Sequence, residues 1–441
     1  MSSMNCLSKM NVIELVDLPD ELILFIMKKV NPRMLLLCSM IGIGNNRLEA
    51  LAFDICHSID LTFDYPQAPH RLFRRRFFSH VMPRISYDIQ SLRINLNHIQ
   101  SIKTFVENNC NGTLPNLTHL KIMLGTNQVK TGIPYTIVTI GNVFENNLNL
   151  ISKIRSISCP NLKQMTMTMY RNFNNYVPCI SLLQQLLNVE YLTLLLAIGV
   201  QGTTPNHFID GFFLERNILP YMPRLRQFNY HIRSILKNAS HITIDQIRQS
   251  FLKQQQPFDC VLDNFNNNYG QCQIYSLPFI GTRLDFVSNR FPLFDINKTF
   301  SNITILLLFD DVKPFESIFF ERVARALPQL RTLEIFNQLE QQEKTTAKKI
   351  SIDFTHLAVL ILYDIHIDYA QQFLCQIHLP SLIELVINKD ILLTIIDENQ
   401  QQARDNCSRV GTIRTSKPSY ESIDIIENFF PLAYYVKHPN E

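Results

Sequence analysis

One apolar pattern returns along most of the chain: a leading apolar residue, another three positions on, and a third two positions after that. It is seen at Ile89/Leu92/Ile94, Leu117/Leu120/Ile122, Leu162/Met165/Met167, Val189/Leu192/Leu194 and Leu225/Phe228/Tyr230. After a weaker version at Ile274/Leu277/Phe279 it resumes at Ile303/Leu306/Leu308, Leu330/Leu333/Ile335, Leu357/Leu360/Leu362 and Leu382/Leu385/Ile387. Residues two apart share one face of a strand, so each closing pair predicts a short strand with that face turned inward. The leading residues step along the chain by 28, 45, 27, 36, 49, 29, 27, 27 and 25 positions. Six of these nine steps fall between 25 and 29, and the three longer ones leave room for insertions. In five units a proline (115, 160, 223, 328, 380) stands two residues before the leading position. Helical spacing fills the returns: Pro314 to Leu327 groups Ile318, Phe319, Val323 and Leu327, with Glu321 and Arg325 at i, i+4 outside. Ile99 to Val106 and Asp368 to Leu379 read the same way.

The N-terminal segment has a different pattern. Asp17 to Val30 predicts a short helix with Pro19 at its first position and Asp20 and Glu21 at the positive end of its dipole. Lys28 and Lys29 stand at the negative end, and Asn31-Pro32 ends the element. Leu22 to Met27 are all apolar, whereas an ordinary surface helix shows one apolar stripe. Two faces therefore need burial, one against the helix's own domain and one against a partner. Pro32 to Met40 predicts a second helix, Ile41 to Asn45 a turn, and Asn46 to Ile55 a third helix through Leu48, Leu51, Ala52 and Ile55. A unit this small is near the lower limit for a stable lone domain.

Leu18-Pro19-x-Glu21-Leu22, the leucine-rich second helix and Arg47-Leu48-x-x-Leu51 resemble the F-box, over roughly residues 13 to 57. The resemblance departs at its end, where the usual tryptophan is absent; the chain contains none. L-x-x-L-x-L at 20–29-residue spacing resembles a leucine-rich repeat, and repeats with helical returns follow the F-box in the F-box and leucine-rich-repeat proteins. Here too there is a departure. The Asn or Cys expected after the last strand leucine is replaced by Gly125, Gln338, Ile365 and Asp390, so the repeats are degenerate.

The implied fold class is α/β: a three-helix F-box-like domain at 13–60, then an irregular leucine-rich-repeat solenoid of parallel strands with helical returns at 81–400. A linker with a basic helix at 61–80 joins them, and a C-terminal cap occupies 401–441. The linker from Phe63 to Pro69 joins the two domains, a protease-sensitive site is expected between Phe63 and Arg76, and the repeats from Val81 are expected to fold alone. The implied function is the substrate-recognition subunit of an SCF-type ubiquitin ligase. Leu18, Pro19, Leu22 and Ile26 would dock on a Skp-family adaptor and through it on cullin, and the repeats would bind a protein substrate. Strand residues flanking the inward pairs face outward. These are His119, Lys121, Tyr191, Thr193, Gln227, Asn229, His231, Glu334, Phe336, Ile361, Tyr363, Glu384 and Asn388, among which Tyr191, His231, Phe336 and Tyr363 are the candidate substrate contacts. The competing reading is a non-ubiquitin cytosolic repeat scaffold or inhibitor whose N-terminal helices form only a cap.

Composition changes this picture little. The chain has 441 residues, 46% of them hydrophobic and 18% charged, in the range of folded globular chains. A net charge of +3 is too small to argue for nucleic acid. The basic run at Arg71 to Arg76, with Arg84 beyond, is expected to be an exposed helix face beside buried aromatics. Ten cysteines are scattered singly and no C-x-x-C occurs, so neither a zinc site nor a redox pair is signalled. No signal peptide and no membrane span are expected, which points to the cytoplasm or nucleus. Six N-x-S/T sequons (Asn111, Asn116, Asn238, Asn297, Asn302, Asn406) raise an extracellular recognition protein as a third reading. Catalysis has no support: Gly42-Ile43-Gly44 lacks a third glycine, no phosphate loop, H-E-x-x-H or G-x-S-x-G is present, and the twelve histidines are dispersed. His356, His366 and His378 lie on different units. Asp310-Asp311 stands at a strand end, where solvated charge is expected. No cofactor, no membrane and no catalytic role are expected.

Overall fold

Nine of the ten recurring patterns supply a strand of a parallel ladder. The computed structural model describes residues 14–30, 33–62, 69–123, 157–173, 177–199, 207–239, 241–266, 268–293, 299–343, 352–415, 425–426 and 428–435. They form a mixed α/β structure with two sheets. The first contains β1 (Ser58–Leu61), β2 (Ser91–Asn95), β3 (His119–Met123), β4 (Gln164–Phe173), β5 (Tyr191–Ile198), β6 (Gln227–Lys237), β7 (Phe258–Asn264) and β8 (Tyr269–Ser276). The second contains β9 (Arg283–Val287), β10 (Ile305–Phe309), β11 (Thr332–Asn337), β12 (Val359–Ile365), β13 (Glu384–Ile387), β14 (Thr412–Arg414) and β15 (Tyr434–Tyr435). Strand order follows chain order except that β8 lies between β6 and β7. Every pairing is parallel save β6–β8 and β7–β8.

The inward pairs are in register. Ile59, Leu92, Leu120, Met165, Leu192 and Phe228 align across β1 to β6, and Leu61, Ile94, Ile122, Met167, Leu194 and Tyr230 form the next row. All twelve are buried. A second regularity lies in the main chain. The carbonyl just before each of the strands β1 to β5 and β9 to β13 accepts two amides from the unit that follows: His57 from Gln90 and Ser91, Gln90 from Thr118 and His119, Thr118 from Lys163 and Gln164. Lys163 and Glu190 continue it, and in the second sheet Thr282, Thr304, Arg331, Ala358 and Ile383 repeat it, at 2.7–3.2 Å throughout. Side chains tie the returns together as well. The asparagine amides of Asn116, Asn161 and Asn188 donate to the carbonyls of Tyr87, Pro115 and Pro160 one unit back, at 2.6–2.8 Å.

The weak Ile274 pattern corresponds to β8, an antiparallel strand. Its Leu277 lies past the strand end, so the expected parallel unit is absent at that point. Strand β1 was not expected although Cys56/Ile59/Leu61 fits the pattern; β7, β9, β14 and β15 carry no full pattern and were not expected either. The last two occupy the region expected to be a cap. Within it residues 425, 426, 428 and 429 are helical. The expected insertion Thr126–Asn149, most of the 63–69 linker and the end of the polar segment Asn337–Lys349 lie outside the described residues.

The N-terminal helices are α1 (Asp20–Lys29), α2 (Arg33–Met40) and α3 (Asn46–Phe53). Pro19 stands one place before the expected position, as N-cap, and its carbonyl takes the amides of Leu22 and Ile23. The turn at 41–45 needs two left-handed residues, Gly42 and Gly44, with φ of 74° and 88°. Helix α4 (Pro69–Arg76) runs through a wider-wound turn, Phe77–Val81, into α5 (Met82–Ile85), and α6 (Leu96–Asn109) follows β2. Ile23, Met27, Leu37, Ile55, Ile59, Phe77, Val81 and Leu92 belong to one continuous apolar core.

That continuity yields an expected outcome opposite to the one read from the linker. A truncated chain starting at Val81 loses β1 and uncovers the core face of α5 and β2. It should aggregate on size-exclusion chromatography where the full chain elutes as a single species. A second outcome concerns Asn406. Its buried amide donates to the carbonyls of Leu374 (2.9 Å) and Ile377 (2.7 Å), and its oxygen accepts the amide of Leu379 (2.9 Å). Asn406→Ala leaves these groups unpaired and should cost about 2–4 kcal/mol in urea unfolding.

Candidate interaction surfaces

Helix α1 turns Ile23 and Met27 into the core and leaves Leu22 (51% exposed), Phe25 (60%) and Ile26 (40%) uncovered. Pro19 and Val30 extend this face at its two ends, and Leu18 is half-buried beside it. Four candidate docking residues are thus brought together. Phe25, the most exposed of the group, was missed, although its spacing of three from Leu22 was a readable signal. The Lys29 ammonium lies 5.5 Å from the Phe25 ring centre.

An arginine holds the start of this helix. Arg47 on α3 donates to the carbonyls of Val16 (2.6 Å) and Leu18 (2.7 Å) and to the Asp20 carboxylate (2.7 Å). Such a planar fork satisfies several acceptors with little loss of side-chain freedom. The basic run is only partly the exposed face expected from its sequence. Arg76 donates to the carbonyls of Cys38 (2.9 Å) and Ile41 (3.0 Å) at the end of α2. Arg84 pairs with Glu49, whose other oxygen accepts the Gly42 amide at 3.2 Å. These contacts tie α4 and α5 to α2, α3 and the turn between them.

The outward strand residues divide between the two sheets. On the first, Tyr191 is 41% exposed and aligns in one row with His119, Gln164 and Gln227. Lys121, Thr166, Thr193 and Asn229 form the next row. Burial and the neighbouring Arg93 lower the Lys121 pKa. On the second sheet Phe336 is only 5% exposed, clustered with Phe286 and Leu307, and so does not serve as a surface anchor. Glu334 and Ile361 are buried too, and the Tyr363 side chain lies outside the described residues. Asn388 caps the following helix by accepting the Asp390 amide. The alternation was read correctly, but strand period alone does not say whether an outward face meets water.

Where the sheets meet, polar side chains replace the ladder. Phe286 adopts φ 55° at a bulge where Leu284 and Val287 face Leu306 and Leu308. Its carbonyl accepts the side-chain amides of Gln271 (2.8 Å) and Gln273 (3.1 Å) from β8. The Arg233 guanidinium lies 4.1 Å from the Phe286 ring centre. Arg283 and Asp285 pair at 2.8 Å while almost fully buried. Ser288 donates to Asp263 at 2.6 Å, and burial pushes that carboxyl up to about 6. His231 meets Gln273 at 3.0 Å, and burial pushes its pKa down to about 4. It lies in the candidate set, yet its ring is engaged with Gln273 and Phe279. Asp310 is not the solvated charge expected: it is buried and accepts the amides of Val312, Lys313 and Asn289 at 2.9–3.1 Å.

His366 pairs with Asp368 (3.0 Å) and His378 with Asp353 (3.4 Å). Among the described residues no group of three or more His, Cys, Asp or Glu could hold a metal ion. The described cysteines are free thiols, and burial raises Cys38, Cys56 and Cys375 to about 11, which makes them poor nucleophiles. No described helix is long and apolar enough to cross a membrane. The Asn406 sequon is consumed inside the fold, and the Asn116 amide is bonded to Tyr87. No protein-family model matches the chain, and no curated protein matches it either.

The junction has a pH signature. His231 is neutral in the fold down to about 4, whereas the unfolded chain takes that proton near 6.5, so this residue's contribution to stability falls between those values. Asp263 acts oppositely, favouring the fold as pH drops through about 6. His231→Gln should therefore flatten the loss of stability between pH 6.5 and 4, measured by urea midpoints across that range.

Proposed function

We propose that this chain is the substrate-recognition subunit of an SCF-type ubiquitin ligase, docked on a Skp-family adaptor through α1. The observation that carries the reading is the uncovered apolar face of Pro19, Leu22, Phe25 and Ile26, held in place by Arg47 and coinciding with the Leu-Pro-x-Glu-Leu resemblance. Such a face is costly to leave in water and marks a contact surface. We take the parallel strands to be an irregular leucine-rich-repeat solenoid. Chain-order pairing and the paired amides on each pre-strand carbonyl support this. The chain would perform no catalysis. It would hold a substrate's lysines at high effective concentration beside a conjugating enzyme carried elsewhere on the complex. Substrate would meet the first sheet, where Tyr191 is exposed among His119, Gln164 and Gln227, since aromatic anchors among polar neighbours suit protein binding. This assignment places the chain in the cytoplasm or nucleus.

One observation favours the second reading, a scaffold with a helical cap. The helices α1 to α3 share the apolar core of the first sheet, as a solenoid cap would. The two readings differ at the uncovered face. Leu22→Asp with Ile26→Asp would bury unpaired charge in an adaptor interface at a cost of several kcal/mol. Pull-down of a Skp-family adaptor should be lost, while the circular dichroism of the full chain stays unchanged. Failure of the unaltered chain to capture the adaptor, or capture undiminished in the double variant, would favour the cap.

A further inference from the structure

We propose that the groove between α4 with its following turn and α6 is a docking site for an acidic peptide segment that carries an apolar residue among its carboxylates. The groove has a volume of about 530 Å³ and runs between Arg74, Arg75, Phe78 and Ser79 on one side and Ser101, Thr104, Phe105 and Asn108 on the other. Its described lining contains no carboxylate. This proposal goes beyond the adaptor reading and does not depend on it, since Leu22 and Ile26 take no part in the groove.

The argument rests on how the basic run is divided. Arg76 is committed to the carbonyls of Cys38 and Ile41, and Arg84 to Glu49. Arg74 and Arg75 have no hydrogen-bond or ion-pair partner for their guanidinium groups among the described residues. Two forked cations therefore stand at the mouth of one trench with no carboxylate among its described lining, and carboxylates are the groups their geometry fits. Two cations are too few for a nucleic-acid track, where affinity grows with the number of neutralised phosphates. An apolar partner is indicated as well. Phe78 and Phe105 contribute apolar lining within the groove itself. The hydroxyls and amides of Ser101, Thr104 and Asn108 can serve a peptide backbone in between. Charge complementarity thus selects the occupant, and Phe78 and Phe105 supply its apolar contact.

The test uses the full-length chain and a fluorescein-labelled Glu-Glu-Leu-Glu-Glu peptide in a fluorescence-anisotropy titration, with Gln-Gln-Leu-Gln-Gln as the neutral counterpart. The acidic peptide should bind about tenfold or more tightly than the neutral one, and raising the salt should erase the difference. Arg74→Glu with Arg75→Glu should abolish binding. Thr104→Trp, which fills the trench without changing its charge, should weaken binding by a similar factor and guards against misfolding of the double charge variant. Leu22→Asp with Ile26→Asp should bind the peptide as the unaltered chain does. Equal binding of both peptides, unchanged binding after either groove alteration, or tighter binding of a short DNA duplex would overturn the proposal.

Discussion

The parallel ladders hang on one carbonyl per unit, the one just before each of ten strands, which receives two amides from the next unit. Because both amides belong to consecutive residues, the following strand can start at only one register. Register in turn decides which side chains face inward: Leu92 opposite Leu120, Leu120 opposite Met165, Leu333 opposite Leu360. A slip of one residue would expose every one of these pairs. The returns are free to differ in length, and they do, because the constraint sits where each strand begins.

The parallel strands were legible because each needs a leading apolar residue and an inward pair, and those positions stand out against polar neighbours. Strand β1 was overlooked although Cys56/Ile59/Leu61 fits the pattern, because a cysteine holds its leading position. Strand β14 was not legible: Thr412-Ile413-Arg414 has a single inward side chain, too little to register as a period. The junction strands β7 and β9 were missed for another reason. β7 pairs antiparallel with β8, and β9 carries a bulge with a left-handed Phe286, and neither leaves the periodic trace of the parallel units. The apolar face of α1 was legible from its excess of apolar residues. The burial of Phe336 was not, since it depends on what covers the outer face of a sheet.

At the junction the protein changes the chemistry of cohesion. Main-chain ladders join strands elsewhere; here Gln271 and Gln273 reach across to a carbonyl that a bulge has turned toward them. Buried polar networks of this kind are costly if half satisfied and specific if complete. Arg283 and Asp285, Ser288 and Asp263, and Asn289 and Asp310 complete much of it. One arginine, Arg233, donates to the Gln271 side chain and is laid over an aromatic ring as well. The result joins two sheets without a shared strand.

The pre-strand carbonyls carry a further consequence for how such a chain can change over time. The atoms that set the register belong to the backbone, so almost any residue serves at those places: His57, Gln90, Thr118, Lys163, Glu190, Thr282, Arg331 and Ala358 all do the same work. Each unit then asks for only a few apolar side chains of roughly suitable volume, and the remaining positions are open to substitution. Mutational drift can rewrite most of the letters while the architecture stays where it was.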